Sequence, residues 1–119
     1  MRRRPGTLLP LEVSLLEAAL ELRRAGEPRF HGFGIARAIA GGLRAGALTS
    51  HGTLYKALGR MEAAGMLTSD WEDADEAAAE GRPRRRLYEP TGAGVAALAE
   101  HRRNVEHDAP QGRAAWGLP

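Results

Sequence analysis

The chain of 119 residues contains no cysteine. That removes a disulfide framework, a thiolate nucleophile and thiolate metal ligands. Lysine is almost missing as well: of seventeen Lys and Arg residues, sixteen are arginine, the cation suited to forked contacts with phosphate and guanine. Long apolar runs are absent, and no uncharged stretch approaches the roughly 18 residues that a membrane-spanning helix needs. The beginning, "MRRRPGTLLPLEVSLLEAALEL", is basic and then apolar like a secretion signal. Glu12, Glu17 and Glu21 interrupt it, however, and no small-residue cleavage site follows. These absences lead us to expect a single-domain, soluble, cytoplasmic protein with no membrane contact.

Catalytic and metal-binding patterns are missing too. His31, His51, His101 and His107 form no i, i+4 pair and have no carboxylate at ligand spacing, so neither a metal nor a cofactor is expected. "GFGIAR" starts like a dinucleotide-binding loop but carries Arg37 in place of the third glycine, and no strand precedes it. Ser50 and His51 are adjacent, a spacing that cannot set out a nucleophile, a base and an orienting group. The chain does not read as an enzyme.

What the sequence does have is segregated charge. Residues 1–60 hold ten cations and four acids (+6), and residues 61–119 hold seven cations and eleven acids (−4), which sum to the formal +2. Between Pro28 and Met61 there is no acid at all, while Arg29, Arg37, Arg44, Lys56 and Arg60 all fall there. A second cationic knot comprises Arg82, Arg84, Arg85 and Arg86. An acidic run of Asp70, Glu72, Asp73, Asp75, Glu76 and Glu80 lies between the two. Clustering of one sign is the electrostatic footprint of a nucleic-acid binder.

The most informative stretch is "TSHGTLYKALGRMEAAGML", residues 49–67. Thr49 or Ser50 can cap a helix, and Gly65 can end it. Leu54, Leu58 and Met61, with Ala57 beside them, make a buried stripe at helical period. The opposite side carries Gly52, Lys56, Gly59 and Ala63, bordered by Thr53, Tyr55 and Arg60. That face is smooth and cationic. It reads either as a surface laid into a DNA major groove, which just admits an α-helix, or as an ordinary solvated face.

The remaining elements fall in a simple order. A basic arm (1–8) precedes helix one (9–25, ended by Gly26). Helix two, "RFHGFGIARAIAGG", places Phe33, Ala36, Ile39, Ala40 and Leu43 on one side, with His31 capping or packing its entry. "ALT" at 47–49 reads as a short strand. "MLTSDWE" and "RRRLYEP" read as the strands of a hairpin around a polar turn, with Trp71 packed at its root. Thr91 caps a last helix (91–107), and 108–119, including Trp116, reads as a loose tail. The fold class is mostly α with a small β-hairpin, in the order α-α-α-β-β-α of a winged helix-turn-helix spanning 9–90.

"HGFGIARAI", "GTLYKALGRMEAAGMLTSDWE" and "GRPRRRLYEPTGAG", taken together, resemble the PadR family of transcriptional regulators over about Leu9 to Leu98. The resemblance implies a dimeric regulator, usually a repressor, often released by a small-molecule effector. It also implies recognition-helix contacts to DNA from His51, Gly52, Thr53, Tyr55, Lys56 and Arg60, and wing contacts from Arg82, Arg84, Arg85 and Arg86. The chain departs from the family pattern at Phe33 (usually Tyr), at Gly59 (usually polar or basic) and at Glu89–Pro90 (commonly Arg-Leu), and its last helix is short.

Helix one bears two apolar stripes: Leu11, Leu15, Ala18 and Leu22, then Val13, Leu16 and Leu20 nearly opposite. Two stripes mean a sandwiched helix. The second needs either the last helix of the same chain or another subunit, and the family resemblance favours the subunit. The interface is therefore assigned to Val13, Leu16 and Leu20 with Val95, Leu98 and Val105. The expected function is a homodimeric regulator on an inverted-repeat operator in double-stranded DNA. The alternative is a winged-helix protein–protein interaction module without DNA binding, to which net +2 and the acidic run lend support.

Overall fold

The structure is a computed structural model that describes the backbone of residues 8–40 and 50–117 and the side chains of 8–40 and 50–106. The expectations for the basic arm, Leu43, the 47–49 strand and the Trp116 side chain lie outside these residues.

Helix α1, Pro10–Arg24, begins with a proline at its first turn, where no N–H is missed. The Glu12 carboxylate reaches back to accept from the Leu9 N–H at 2.9 Å. Gly26, at φ +97°, ends the helix. Helix α2, Gly32–Ala40, is capped by the His31 imidazole, whose Nδ1 accepts from the Gly34 N–H at 3.2 Å. Helix α3, Ser50-capped, runs His51–Ala63, and the Ser50 hydroxyl oxygen accepts from the Thr53 N–H at 3.2 Å. Gly65, at φ +81°, turns the chain into the hairpin.

Strand β1, Leu67–Trp71, pairs antiparallel with β2, Arg86–Pro90, in the register Leu67↔Pro90, Ser69↔Tyr88, Trp71↔Arg86. Phe30 adds a two-bond bridge to Tyr88, and their rings stack 5.7 Å apart. The region between the strands differs from the expected polar turn. A short helix α4, Ala74–Ala79, forms there, because Ala77 can be buried beneath it while Asp75, Glu76 and Glu80 stay in water.

The Thr91 hydroxyl donates to the Gly65 carbonyl at 2.6 Å and accepts from the Gly94 N–H at 3.0 Å, so one side chain caps α5 and fastens it to the hairpin root. Helix α5 runs Gly92–Gly117. The segment 108–119 therefore does not start as a loose tail: it is helical through Gly117. Pro110 removes one rung of the ladder, but the neighbouring alanines and Arg113 are good helix formers and carry the helix past it.

Leu15, Leu16, Ile35, Leu54, Leu58, Met61 and Leu98 are fully buried. The α3 stripe of Leu54, Ala57, Leu58 and Met61 is thus as expected. Helix α1 packs against α2, α3, β2 and α5. Its second stripe is covered at Leu16 by the chain's own core, in which Leu98 of α5 is also buried. Those two residues, assigned to a subunit interface, are corrected: a side chain with no exposed surface has none to offer a partner. Val13 and Leu20 are half-buried, and Val95 and Val105 are exposed. On the α2 side that carries Phe33, Ala36 and Ile39, the two aliphatic residues are buried and Phe33 is 55% exposed. It stands at the edge of the α2 stripe, beneath the Arg37 guanidinium at 5.2 Å and edge-on to His51 at 6.2 Å.

Candidate nucleic-acid interface

The buried stripe of α3 fixes which of its residues face outward. His51, Gly52, Thr53, Tyr55, Lys56, Gly59 and Arg60 are all exposed, which brings together the full recognition-helix set read from the sequence. They do not act alike. Thr53 is tied into the cap, its hydroxyl oxygen accepting from Ser50 at 3.1 Å. Tyr55 lies half-exposed across the backbone of Gly32, where an added methyl would overlap its ring and hydroxyl. The absence of a side chain at 32 lets α2 and α3 close to this distance.

Arg60 departs from the reading. Its Nε sits 3.7 Å from Oε2 of Glu12, a carboxylate with no exposed surface. The guanidinium is turned toward the start of α1 and joins the recognition helix to it. Lys56 remains on the outer face, and Gly59 has open space around it.

The wing arginines divide into two pairs. Arg82 and Arg85 are bound to Glu72, the one buried member of the acidic run. Arg82 grips it with both terminal nitrogens, Nη2 to Oε2 at 2.7 Å and Nη1 to Oε1. Arg85 donates its backbone N–H at 3.3 Å and places Nη2 at 3.6 Å. The Arg82 bond, the Arg85 N–H and both positive charges hold the Glu72 carboxyl down at about 2, against the opposing effect of burial. The same pairing raises Arg82 above the usual arginine value. A guanidinium in a forked pair must break it to bind elsewhere; that holds for Arg82, whereas Arg85 meets Glu72 through its backbone N–H and Nη2 and keeps Nε and Nη1 outside the pairing.

Arg84 and Arg86 are the other pair. They stand over the Trp71 ring at 5.7 and 5.1 Å. Arg84 Nε donates to the Glu72 carbonyl at 3.0 Å, and Arg86 Nε to the Ser69 hydroxyl at 3.0 Å. Neither has a carboxylate within ion-pair distance among the described residues. Trp71, expected to pack at the wing root, is 52% exposed, because β1 ends there and α4 turns away. Its role, like that of Glu72, escaped sequence reasoning. The usable signal was cross-strand pairing, which sets Trp71 opposite Arg86.

The two cationic clusters meet at His31. Its Nε2 lies 2.9 Å from Nη1 of Arg85. Burial first, then Arg85, Arg37 and Arg82, push its pKa below the ordinary histidine value, with Glu72 opposing. A cavity of about 300 Å³ opens between residues 31–33, Tyr55 and residues 84–86. Among the described residues no group of three or more His, Asp or Glu could hold a metal ion, and no helix is long and apolar enough to cross a membrane.

The profile described as "Transcriptional regulator PadR-like family" matches residues 22–100. A curated transcriptional regulator of Mycobacterium tuberculosis is 39% identical over 85 residues, which are 71% of each chain. A PadR family transcriptional regulator from Eggerthella lenta superposes with a TM-score of 0.58 at 22% identity, over 86% of this chain and 81% of that one. A transcriptional regulator from Clostridium thermocellum also gives 0.58, at 17% identity, over 91% and 88%. At these identities the two structures bear on the fold, a winged helix.

Proposed function

We propose, because the chain belongs to the PadR-like family of transcriptional regulators, that it regulates by binding double-stranded DNA sequence-specifically as a homodimeric repressor. The family is one of regulators and not of enzymes. The observation that carries the reading is that Tyr55 of α3 and Arg84 and Arg86 of the wing line one cavity, with Trp71 under the two guanidinia. In this reading α3 enters the major groove, where base edges are distinguishable, and Lys56, Tyr55 and His51 face it. Arg84 and Arg86 lie along the backbone, where contacts set position more than sequence. Arg60 and Glu12 orient the helix. Val13, Leu20, Val95 and Val105 form the subunit contact, and two recognition helices read an inverted repeat with half-sites about 34–36 Å apart. A small-molecule effector would bind between α1 and α5 of the dimer and by linkage would favour the DNA-free form. The regulator acts in the cytoplasm.

The test is selection of bound fragments from the host genome, followed by a salt titration on the selected duplex and a scrambled one. A preference for the selected duplex of roughly 10³ or more, with a negative salt slope on both, is expected. One observation favours the second reading, a protein-binding winged helix: α4 puts Asp73, Asp75, Glu76 and Glu80 on the wing. That reading predicts no selected fragment and no salt-dependent duplex binding.

A further inference from the structure

We infer that the cavity between the start of α2, Tyr55 and the wing binds a single tetrahedral oxyanion, a phosphate group. The argument begins with His31. Its Nδ1 accepts from the Gly34 N–H, and a neutral imidazole offers only one accepting nitrogen, so its proton resides on Nε2. Nε2 lies 2.9 Å from Nη1 of Arg85, which is also a donor. Two donors face each other with no acceptor between them. In addition, Arg85 Nε is buried and has no hydrogen-bond partner among the described residues. Groups of this kind cost free energy unless something accepts from them.

The rest of the lining agrees. Arg84 and Arg86 border the same cavity, as does Tyr55, and among the described residues no carboxylate lines it. Glu72 is the carboxylate within reach of Arg85, and it is shared with Arg82. Trp71 holds the Arg84 and Arg86 guanidinia in place without neutralising them. A volume of about 300 Å³ accommodates one oxyanion with several waters of roughly 30 Å³ each. Donors arrive from α2, from α3 and from β2, three directions that suit a tetrahedral acceptor better than a planar carboxylate. An occupied cavity therefore fastens the wing to the two helices. The phosphate can come from a duplex backbone or from a free phosphorylated molecule, and the chemistry of recognition is the same.

The test titrates inorganic phosphate into the full chain at constant ionic strength and follows the imidazole resonances of all four histidines. A saturable shift at His31, with His51, His101 and His107 unmoved, is the expected result. No shift at His31, or a common drift of all four, would overturn the inference. Arg84→Gln and Arg86→Gln remove cations that hold no carboxylate, so each should keep its helical circular dichroism and bind phosphate about tenfold more weakly; unchanged affinity in both also overturns it. A duplex that displaces phosphate competitively identifies the backbone as the source. A duplex that binds alongside phosphate identifies a free phosphorylated molecule. Because the titration needs no DNA, a chain that binds no duplex would fail the regulatory reading and leave this one standing.

Discussion

Gly94 lies directly on the carbonyl of Met66, and a methyl added at 94 would overlap that oxygen. The obstacle is backbone, held in turn by the Thr91 N–H on the same carbonyl at 3.0 Å, so it cannot swing aside. Gly94→Ala should therefore lower stability by about 1–3 kcal/mol, in spite of alanine's better helix propensity. Urea denaturation measures this, and a neutral result would show that α5 can shift on the hairpin root.

Gly59→Ala has the opposite sign. Position 59 is mid-helix, exposed and unobstructed, so the substitution should stabilise by about 1 kcal/mol. If the smooth face admits DNA closely, the same variant should bind its operator more weakly. A stabilised variant with full operator affinity would show that Gly59 serves no close approach.

The wing should come apart in acid. Glu72 ionises at about 2 in the folded chain and near 4.5 as an unperturbed group. A carboxylate depressed on folding adds stability above its unfolded value, and that contribution fades as the pH falls from 4.5 toward 2. Trp71 fluorescence, which reports on Arg84 and Arg86, should change across that window. In Glu72→Gln it should already look acid-like at neutral pH. A Trp71 signal that is flat down to pH 2 in the wild type would rule out this role for Glu72.

On DNA, Arg84→Ala with Arg86→Ala should weaken operator and random duplexes alike, and should reduce the salt slope by up to about 2. Arg82→Ala should loosen the wing first, since its guanidinium is engaged with Glu72. Lys56→Ala should cost the operator more than random DNA, by about 1–3 kcal/mol if it reads a base. Arg60→Ala should lower both affinities equally and reduce stability by roughly 1 kcal/mol, because Glu12 loses an ion pair. Operator-specific loss at Arg60 would return it to the base-reading set.

Subunit contact and core can be separated by two variants. Leu16→Ala should destabilise the protomer by about 2–5 kcal/mol. Val95→Glu with Val105→Glu should leave the protomer folded and shift sedimentation toward monomers. Wild-type monomers at tens of micromolar would exclude the dimer.

The caps and the α3 stripe were legible because their causes are local. Ser50, Thr91 and Gly65 act within a few residues, and Leu54, Leu58 and Met61 repeat at the helical period. Glu72 was not legible as a hub, since its partners stand ten and thirteen residues onward, and a run of acids looks uniform in sequence. Leu16 was misread for a similar reason. The pattern revealed that α1 is covered twice, but whether α5 of the same chain or another subunit supplies the cover depends on packing between distant segments. Arg60 lay on the right face, and only the approach of α1 decided where its guanidinium turned.

The ties of α1 also set a timetable for synthesis. Arg23 donates to the Pro90 carbonyl and Arg102 to Glu17, links that span 67 and 85 positions. Helix α1 leaves the ribosome before the elements it packs against, and meets α5, the farthest of them, last. At about 5–20 residues per second, Leu15 and Leu16 wait roughly 4–16 s for Leu98 to emerge. During that interval the face of α1 that packs on α5 stays uncovered, and a holding chaperone would find a target there.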